Sequence, residues 1–287
     1  MNADVNEGDG ADSISEGADR YNVPALERGL RLLCEFDRTT RTLSAPELAR
    51  RFKLPRSTVF RLLSTLENMG FVERTESGRD YRLGVAVLRL GFEYLASLEL
   101  TELGTPVLNR LAEELGLAAN LVVRDGRSIV YVAKVVPSAQ PFRSAVSVGT
   151  RLPAHATVLG RVLLGDLTLP QLRELYPEPV LEAFSEGTPH TTAELFDLVQ
   201  VDRAKGYASG EGFFETNIST VAAPIHDRMG HLVAALGVTI PAGHIDGAAM
   251  ERLERRVKAD ADEISSLLGH KPQGSAGRVI PLPLHKR

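Results

Sequence analysis

SAPELARRFKLPRSTVFRLLSTLENM, residues Ser44 to Met69, reads as two short helices joined by a tight turn. Ser44 is a good N-cap, and Glu47 three residues later completes a capping box. Leu48, Ala49 and Phe52 form the apolar stripe of the first helix. Lys53-Leu54-Pro55 is the turn, because Pro55 cannot continue a helix but suits the first position of the next. The second helix has Val59, Leu62, Leu63 and Leu66 for burial and shows Arg56, Ser57, Thr58 and Arg61 on its early, opposite face. A bracing helix followed by one with small polar and basic residues at its N-terminal end is the layout of a helix-turn-helix, aimed at base edges and phosphates. Two amphipathic helices with a short connection also occur in many α domains that bind nothing, so the flanking sequence has to decide.

It does so on the C-terminal side. Gly70 is a C-cap, Phe71 to Thr75 is a short strand, residues 76–80 (ESGRD) are a turn, and Tyr81-Arg82-Leu83 returns. A hairpin directly after a helix-turn-helix is a wing. The second helix then enters the major groove while Arg74 and Arg79 touch the backbone or minor groove. On the N-terminal side, residues 24–36 form a helix with Leu26, Leu30, Leu33 and Cys34 on the face expected to be buried. Residues 1–20 carry six acids and one base, without aromatics, and are expected to be a disordered acidic tail. Residues 21–83 carry twelve Lys/Arg and eight Asp/Glu, so a modestly basic first domain sits in a chain of net charge −4. The lone Cys34 excludes an intrachain disulfide and a thiolate metal cage. No run approaches the ~20 apolar residues of a membrane helix and no signal-peptide pattern opens the chain, so a cytoplasmic protein without membrane contact is expected.

Residues 84–99 form a linker helix, apolar almost all round (Val87, Leu88, Leu90, Tyr94, Leu95), which predicts burial against a second subunit. A helix over 101–116 then opens a second domain, residues 100–269. Strands are expected at Asn120–Arg124, Ser128–Val136 and Ser144–Val148, the first two joined by the Asp125-Gly126 turn. Helices are expected at Thr157–Leu167, Leu169–Tyr176 and Thr192–Lys205, then strands at Tyr207–Ser209, Ser219–His226 and His231–Ile240, and a terminal amphipathic helix over Gly247–Leu268. That order predicts an α+β domain with a central antiparallel sheet. Residues 270–287 are expected to be a flexible basic tail.

The blocks ALERGLRLLCEF, the helix pair, the wing ending in YRLG, RLPAHATVLGRVLL and STVAAPIHDRMGHLVAALGVTIP resemble the IclR family of bacterial transcriptional regulators over residues 22–268. LGFEYLASLELTELGTPVL and SVGTRLPAHATVLGRVLL are similar to its branch concerned with aromatic-acid catabolism through the β-ketoadipate pathway. The resemblance implies a winged helix-turn-helix domain, a dimerising linker and a GAF- or PAS-like effector domain. It implies a homodimer or homotetramer on a palindromic double-stranded operator, with RNA polymerase as a further partner. The effector is expected to be a small carboxylate. In the family it sits against the helix start at Thr157, Val158 and Leu159, and against sheet positions that correspond here to Glu211, Thr220, Gly237 and Thr239. Free N–H groups at a helix start suit a carboxylate. Gly237 and Thr239 share a sheet face, with Gly237 leaving room for a ring. This chain has Gly210-Glu211 where many members carry two acids, Thr220 where Cys is frequent, and bulkier residues at Val158-Leu159. An aromatic acid is therefore expected, with a small aliphatic acid as the alternative. Arg143, Arg151 and His155 are further candidates for a carboxylate, each equally readable as a surface charge or a structural hydrogen bond.

Catalysis is not expected: the histidines lack metal-ligand spacing, no G-x-S-x-G elbow is present, and residues 206–212 (GYASGEG) lack the Lys-Ser/Thr of a phosphate loop. No cofactor or metal is expected. A purely architectural DNA binder is the remaining alternative.

Overall fold

The computed structural model describes residues 22–37, 39–137, 146–214, 217–241 and 247–271. Contacts divide the chain into two units, with the boundary after Tyr94. In the first unit, α1 (Pro24–Leu33), α2 (Ala45–Arg51) and α3 (Arg56–Asn68) pack on a three-stranded antiparallel sheet of order β1 (Leu43–Ser44), β3 (Asp80–Leu83), β2 (Val72–Arg74). Ser44 Oγ accepts from the Glu47 amide and caps α2, as its sequence predicts, but the expected capping box does not close, because the Glu47 carboxylate pairs with Arg50 and Arg51 instead. The turn runs through Lys53, at a φ of 52°. Leu32, Leu48, Val59, Leu63, Val72 and Tyr81 fill the core.

Helix α1 departs from expectation. Leu26 and Leu30 are 62% and 56% exposed, and Cys34 is exposed as well. The core takes Gly29, Leu32 and Phe36, at i, i+3, i+7, and of the expected face only Leu33 packs against it, half-buried. The helix has apolar residues on two faces, and the leucine-richer one is not the face its own domain covers.

Helix α4 (Ala86–Ser97) leads to the second unit, where α5 (Glu99–Leu115) opens a six-stranded antiparallel sheet. Its order is β6 (Arg151–Pro153), β5 (Ser128–Val135), β4 (Ala118–Asp125), β9 (Leu232–Pro241), β8 (Ile218–His226), β7 (Ala208–Glu211). Helices α5 and α9 (Gly247–Leu267) cover one face, burying Leu108, Leu111, Val257 and Ile264 against Leu121, Val221 and Leu236. Helices α6 (Val158–Leu163), α7 (Leu169–Leu175) and α8 (Thr192–Lys205) cover the other, with Leu163, Leu172 and Leu195 against Val122, Ile129 and Ala222. The architecture is α+β with an antiparallel sheet. The strand expected at Ser144–Val148 falls partly outside the described residues; Val146 and Ser147 are irregular and Val148-Gly149 is a turn. A bulge interrupts the β4–β5 ladder: Leu121 pairs with Ala133 but Val122 with Tyr131, so Val132 has no partner opposite.

Candidate functional site

Two surfaces are built for recognition. The first is the early face of α3. Arg56, Ser57 and Arg61 are exposed, and Thr58 is half-buried behind them. Among the described residues neither guanidinium meets an acid. Between them stands Phe60, 54% exposed, which with Ala45 and Pro46 lines an open apolar cleft beside Arg56, Ser57 and Arg61. Sequence reading passed over Phe60 because a phenylalanine in a helix is ordinarily core. The spacing i, i+1, i+4, i+5 from Arg56 was the available signal. The two wing arginines differ. Arg79 is exposed near the hairpin tip. Arg74, expected on the duplex, lies over the Tyr81 ring at 5.0 Å, and its Nε donates to Glu67 Oε1 at 3.0 Å. It fastens the wing to α3, so it must leave an ion pair before it can touch phosphate.

The second surface is a pocket between α6 and the sheet, of about 60 Å³. Thr157, Val158, Leu159, Thr220 and Thr239 line it together with Tyr131, Gly210, Phe213 and Phe214. Thr220 and Thr239 stand directly opposite each other on β8 and β9. Thr157 Oγ1 accepts from the Gly160 amide at 3.0 Å and caps α6. Among the described residues no acceptor meets the amides of Val158 and Leu159. The short helix is pressed onto the turn before it, since a Cβ on Gly160 would run into the Ala154 carbonyl.

Three expectations for the pocket need correction. Glu211 is exposed and outside the lining; it pairs with Ser219 while Gly210 pairs with Thr220, so the pleat sends Glu211 to the other face. Gly237 offers no space for a ring, because Leu159 occupies it: a Cβ there would lie 2.6 Å from Leu159 Cδ2. His155 and Arg151 are engaged elsewhere. His155 Nε2 lies 2.9 Å from the Glu182 carbonyl, with its ring against Tyr176 and Phe184. Burial pushes the Tyr176 hydroxyl up to about 12. Arg151 pairs with Asp125 at 2.7 Å on the surface. Arg143 lies outside the described residues.

Behind the pocket runs a connection that sequence reading did not find. Arg161 of α6 is buried, 2% exposed, and its guanidinium lies 4.2 Å over the Phe213 ring. Its Nε donates to Asp202 of α8 at 2.8 Å and its Nη2 to the Ser209 carbonyl at 3.1 Å. Burial lowers the Arg161 pKa and raises that of Asp202, each against the pull of the other's charge. A charged helix residue three before Leu164 reads as surface in a sequence, which is why the pair escaped notice.

A winged helix with free arginines on its second helix, followed by a sheet domain with a small lined pocket, defines a DNA-binding regulator governed by a small molecule. The bacterial transcriptional regulator IclR C-terminal model matches residues 92–266, and the IclR helix-turn-helix model matches residues 25–76. The chain belongs to the IclR family of transcriptional regulators. It is 34% identical to the Pca regulon regulatory protein of Pseudomonas putida over 230 residues, 80% of this chain and 78% of that one. Among solved structures it is similar to a transcriptional regulator from Rhodococcus sp. RHA1, with a TM-score of 0.74 and 31% identity over 86% of this chain and 98% of that one. It also shares its fold with an IclR homologue from Microbacterium hydrocarbonoxydans complexed with 4-hydroxybenzoate, with a TM-score of 0.73 and 24% identity over 85% and 98% of the two chains. Among the described residues no helix is long and apolar enough to cross a membrane.

Proposed function

We propose that this regulator binds a palindromic operator as a dimer or a dimer of dimers and that an aromatic carboxylic acid in the α6 pocket controls that binding. The observation that carries the effector class is the lining: three aromatic rings and three threonine hydroxyls, with no charged side chain among the described lining residues. The carboxylate is received by the amides of Val158 and Leu159, and the ring lies among Tyr131, Phe213 and Phe214. The relative named for the Pca regulon supports an aromatic pathway, and the 4-hydroxybenzoate complex supports the capacity of this fold to hold such an acid. On the DNA side, Arg56, Ser57, Phe60 and Arg61 are the reading face, with Thr58 behind it and Arg79 on the backbone. RNA polymerase is the further partner where the protein activates.

The pocket's size makes this more than a docking event. Benzene occupies an engineered cavity of about 150 Å³, and the space here is about 60 Å³. A ring enters only if Leu159 or Phe213 gives way. Phe213 carries Arg161 on its face, and Arg161 holds α8 through Asp202, so the displacement reaches a second helix. That is the differential contact an effector needs in order to bias two states. The same small volume favours one other reading: a two- or three-carbon acid fits without rearrangement. A thermal-shift screen of the full chain separates them, since a ligand of the folded state raises the melting temperature. Benzoates must raise it; a rise with pyruvate or glyoxylate alone defeats the aromatic reading.

A further inference from the structure

Asn120 is 1% exposed in the middle of β4, and its Oδ1 is the one buried side-chain polar atom without a hydrogen-bond partner among the described residues. The residue lies on the pocket face of the sheet, opposite Lys134 of β5 and Gly237 of β9. Its Nδ2 donates to Thr239 Oγ1 at 3.2 Å, and Thr239 is in the pocket wall. On the other side the Lys134 ammonium donates to the Val146 carbonyl at 2.6 Å, and Val146 is in the wall too. The amide therefore sits directly behind the pocket, between two groups that reach it. Leaving a buried carbonyl oxygen without a donor is costly, so such an atom calls for a missing partner.

We infer that Asn120 sets the chemical class of effector: its Oδ1 accepts from the hydroxyl of a hydroxylated aromatic acid, which supplies the donor the fold withholds. This rests on the aromatic-acid reading above and narrows it. A benzoate carboxylate has acceptors only, and a methyl ether likewise. A phenolic O–H donates one hydrogen bond and accepts another. Thr239 completes the pair: its oxygen already accepts from Asn120 Nδ2, so its own hydrogen is available to the ligand oxygen. One hydroxyl thus bridges Asn120 and Thr239, while the carboxylate faces the start of α6. A site that hydrogen-bonds a ligand hydroxyl rejects the analogue lacking it far more strongly than an apolar wall rejects a missing methyl.

The test is calorimetric titration of the full-length chain with benzoate, the three monohydroxybenzoates and their methyl ethers, on wild type and on Asn120→Leu. At least one hydroxybenzoate is expected to bind wild type about tenfold or more tightly than benzoate and than its own ether. Asn120→Leu is expected to erase that margin while leaving benzoate as tight or tighter. A margin that survives Asn120→Leu overturns the inference, as does an ether that matches its phenol. Should Asn120→Leu fail to fold, Asn120→Asp keeps an acceptor at the position and must keep the hydroxyl preference; its loss there overturns the inference as well. Benzoates that bind wild type without discrimination defeat the role of Asn120 alone, whereas no binding by any of them defeats the aromatic-acid reading with it.

Discussion

Phe60 presents more than half of a phenyl ring to solvent, between two arginines that hold no acid among the described residues. In a major groove the apolar partner for such a ring is the thymine methyl. Phe60→Ala is expected to lower affinity for DNA selected from a random pool by roughly 1–3 kcal/mol and to relax the preference at one position. Replacing thymine by uracil in that DNA should weaken wild type and leave Phe60→Ala unmoved; equal loss in both would show that the ring reads no methyl. Arg56→Ala and Arg61→Ala are expected to weaken binding and, where they meet phosphate, to reduce the salt slope by about one each. Gel shifts indifferent to both changes would remove them from the interface. At this scale the sequence was only partly legible. Residue types told which groups can touch DNA, but Arg74 has the same type as Arg79, and only the folded position of Glu67 and Tyr81 distinguishes them. Gly237 was read as room, a property that depends on where Leu159 lies.

Helix α6 is six residues long and buries every one of them, including Arg161. Removing one partner of a buried ion pair costs about 3–5 kcal/mol, whereas replacing both by apolar groups of similar volume is often neutral or stabilising. Asp202→Asn is therefore expected to lower stability by an amount in that range, and Arg161→Met with Asp202→Leu to restore most of it. Denaturant midpoints check this, and a double variant as damaged as the single one would show that the Ser209 carbonyl, not the charge, dominates. The double variant should also lose effector control while still binding DNA, because Phe213 would no longer lie beneath a cation tied to α8. Elements of this kind were read well where the signal is local. The cap at Ser44 stands where the sequence put it, and the β4–β5 turn falls one residue later than Asp125-Gly126, at Gly126-Arg127. Short helices and single bridges were not. Thr157–Leu167 shrank to Val158–Leu163, since its end is set by packing on the sheet rather than by a breaker. The two-residue β1 carries no pattern at all.

The whole molecule leaves apolar side chains uncovered on the first unit. Leu26 and Leu30 on α1, with Val85, Leu88 and Leu90 at and along α4, are each more than half exposed. A second copy is the occupant that the proposed dimer on a palindromic operator calls for. Leu26→Glu or Leu88→Glu is expected to shift the protein to monomer in sedimentation equilibrium and to abolish operator binding; an unchanged mass would place the interface elsewhere. The second unit adds a pH dependence. His226 and His270 stack at 5.2 Å beside a hollow that also holds Asp166, Lys258 and Asp262. Burial first, and His270 second, hold the His226 pKa below its ordinary 6.5, with Asp166, Asp262 and Asp227 pulling the other way. A lowered histidine pKa means the fold favours the neutral ring. The stabilisation is complete above the unfolded value and is lost as pH falls through it toward the folded one. Melting temperature should drop between about pH 7 and 5, and drop less in His226→Gln. An identical slope in the variant would assign the effect to other groups.

The bulge at Val132 has a bearing on how this pocket can change over generations. Tyr131 and Lys134 are three residues apart, a spacing that in a regular strand puts side chains on opposite faces. The unpaired residue between them brings both to the pocket side, one in the wall and the other against the Val146 carbonyl. Point substitutions at the wall alter one group at a time and leave this arrangement intact. Deleting the codon for Val132 would straighten the ladder and set Tyr131 and Lys134 two residues apart, a spacing that holds both on the pocket face, while removing a buried side chain from the core on the other face. Retuning the regulator to a new inducer, by selection or in the laboratory, is therefore open to loss of this bulge as well as to exchange of letters at the wall.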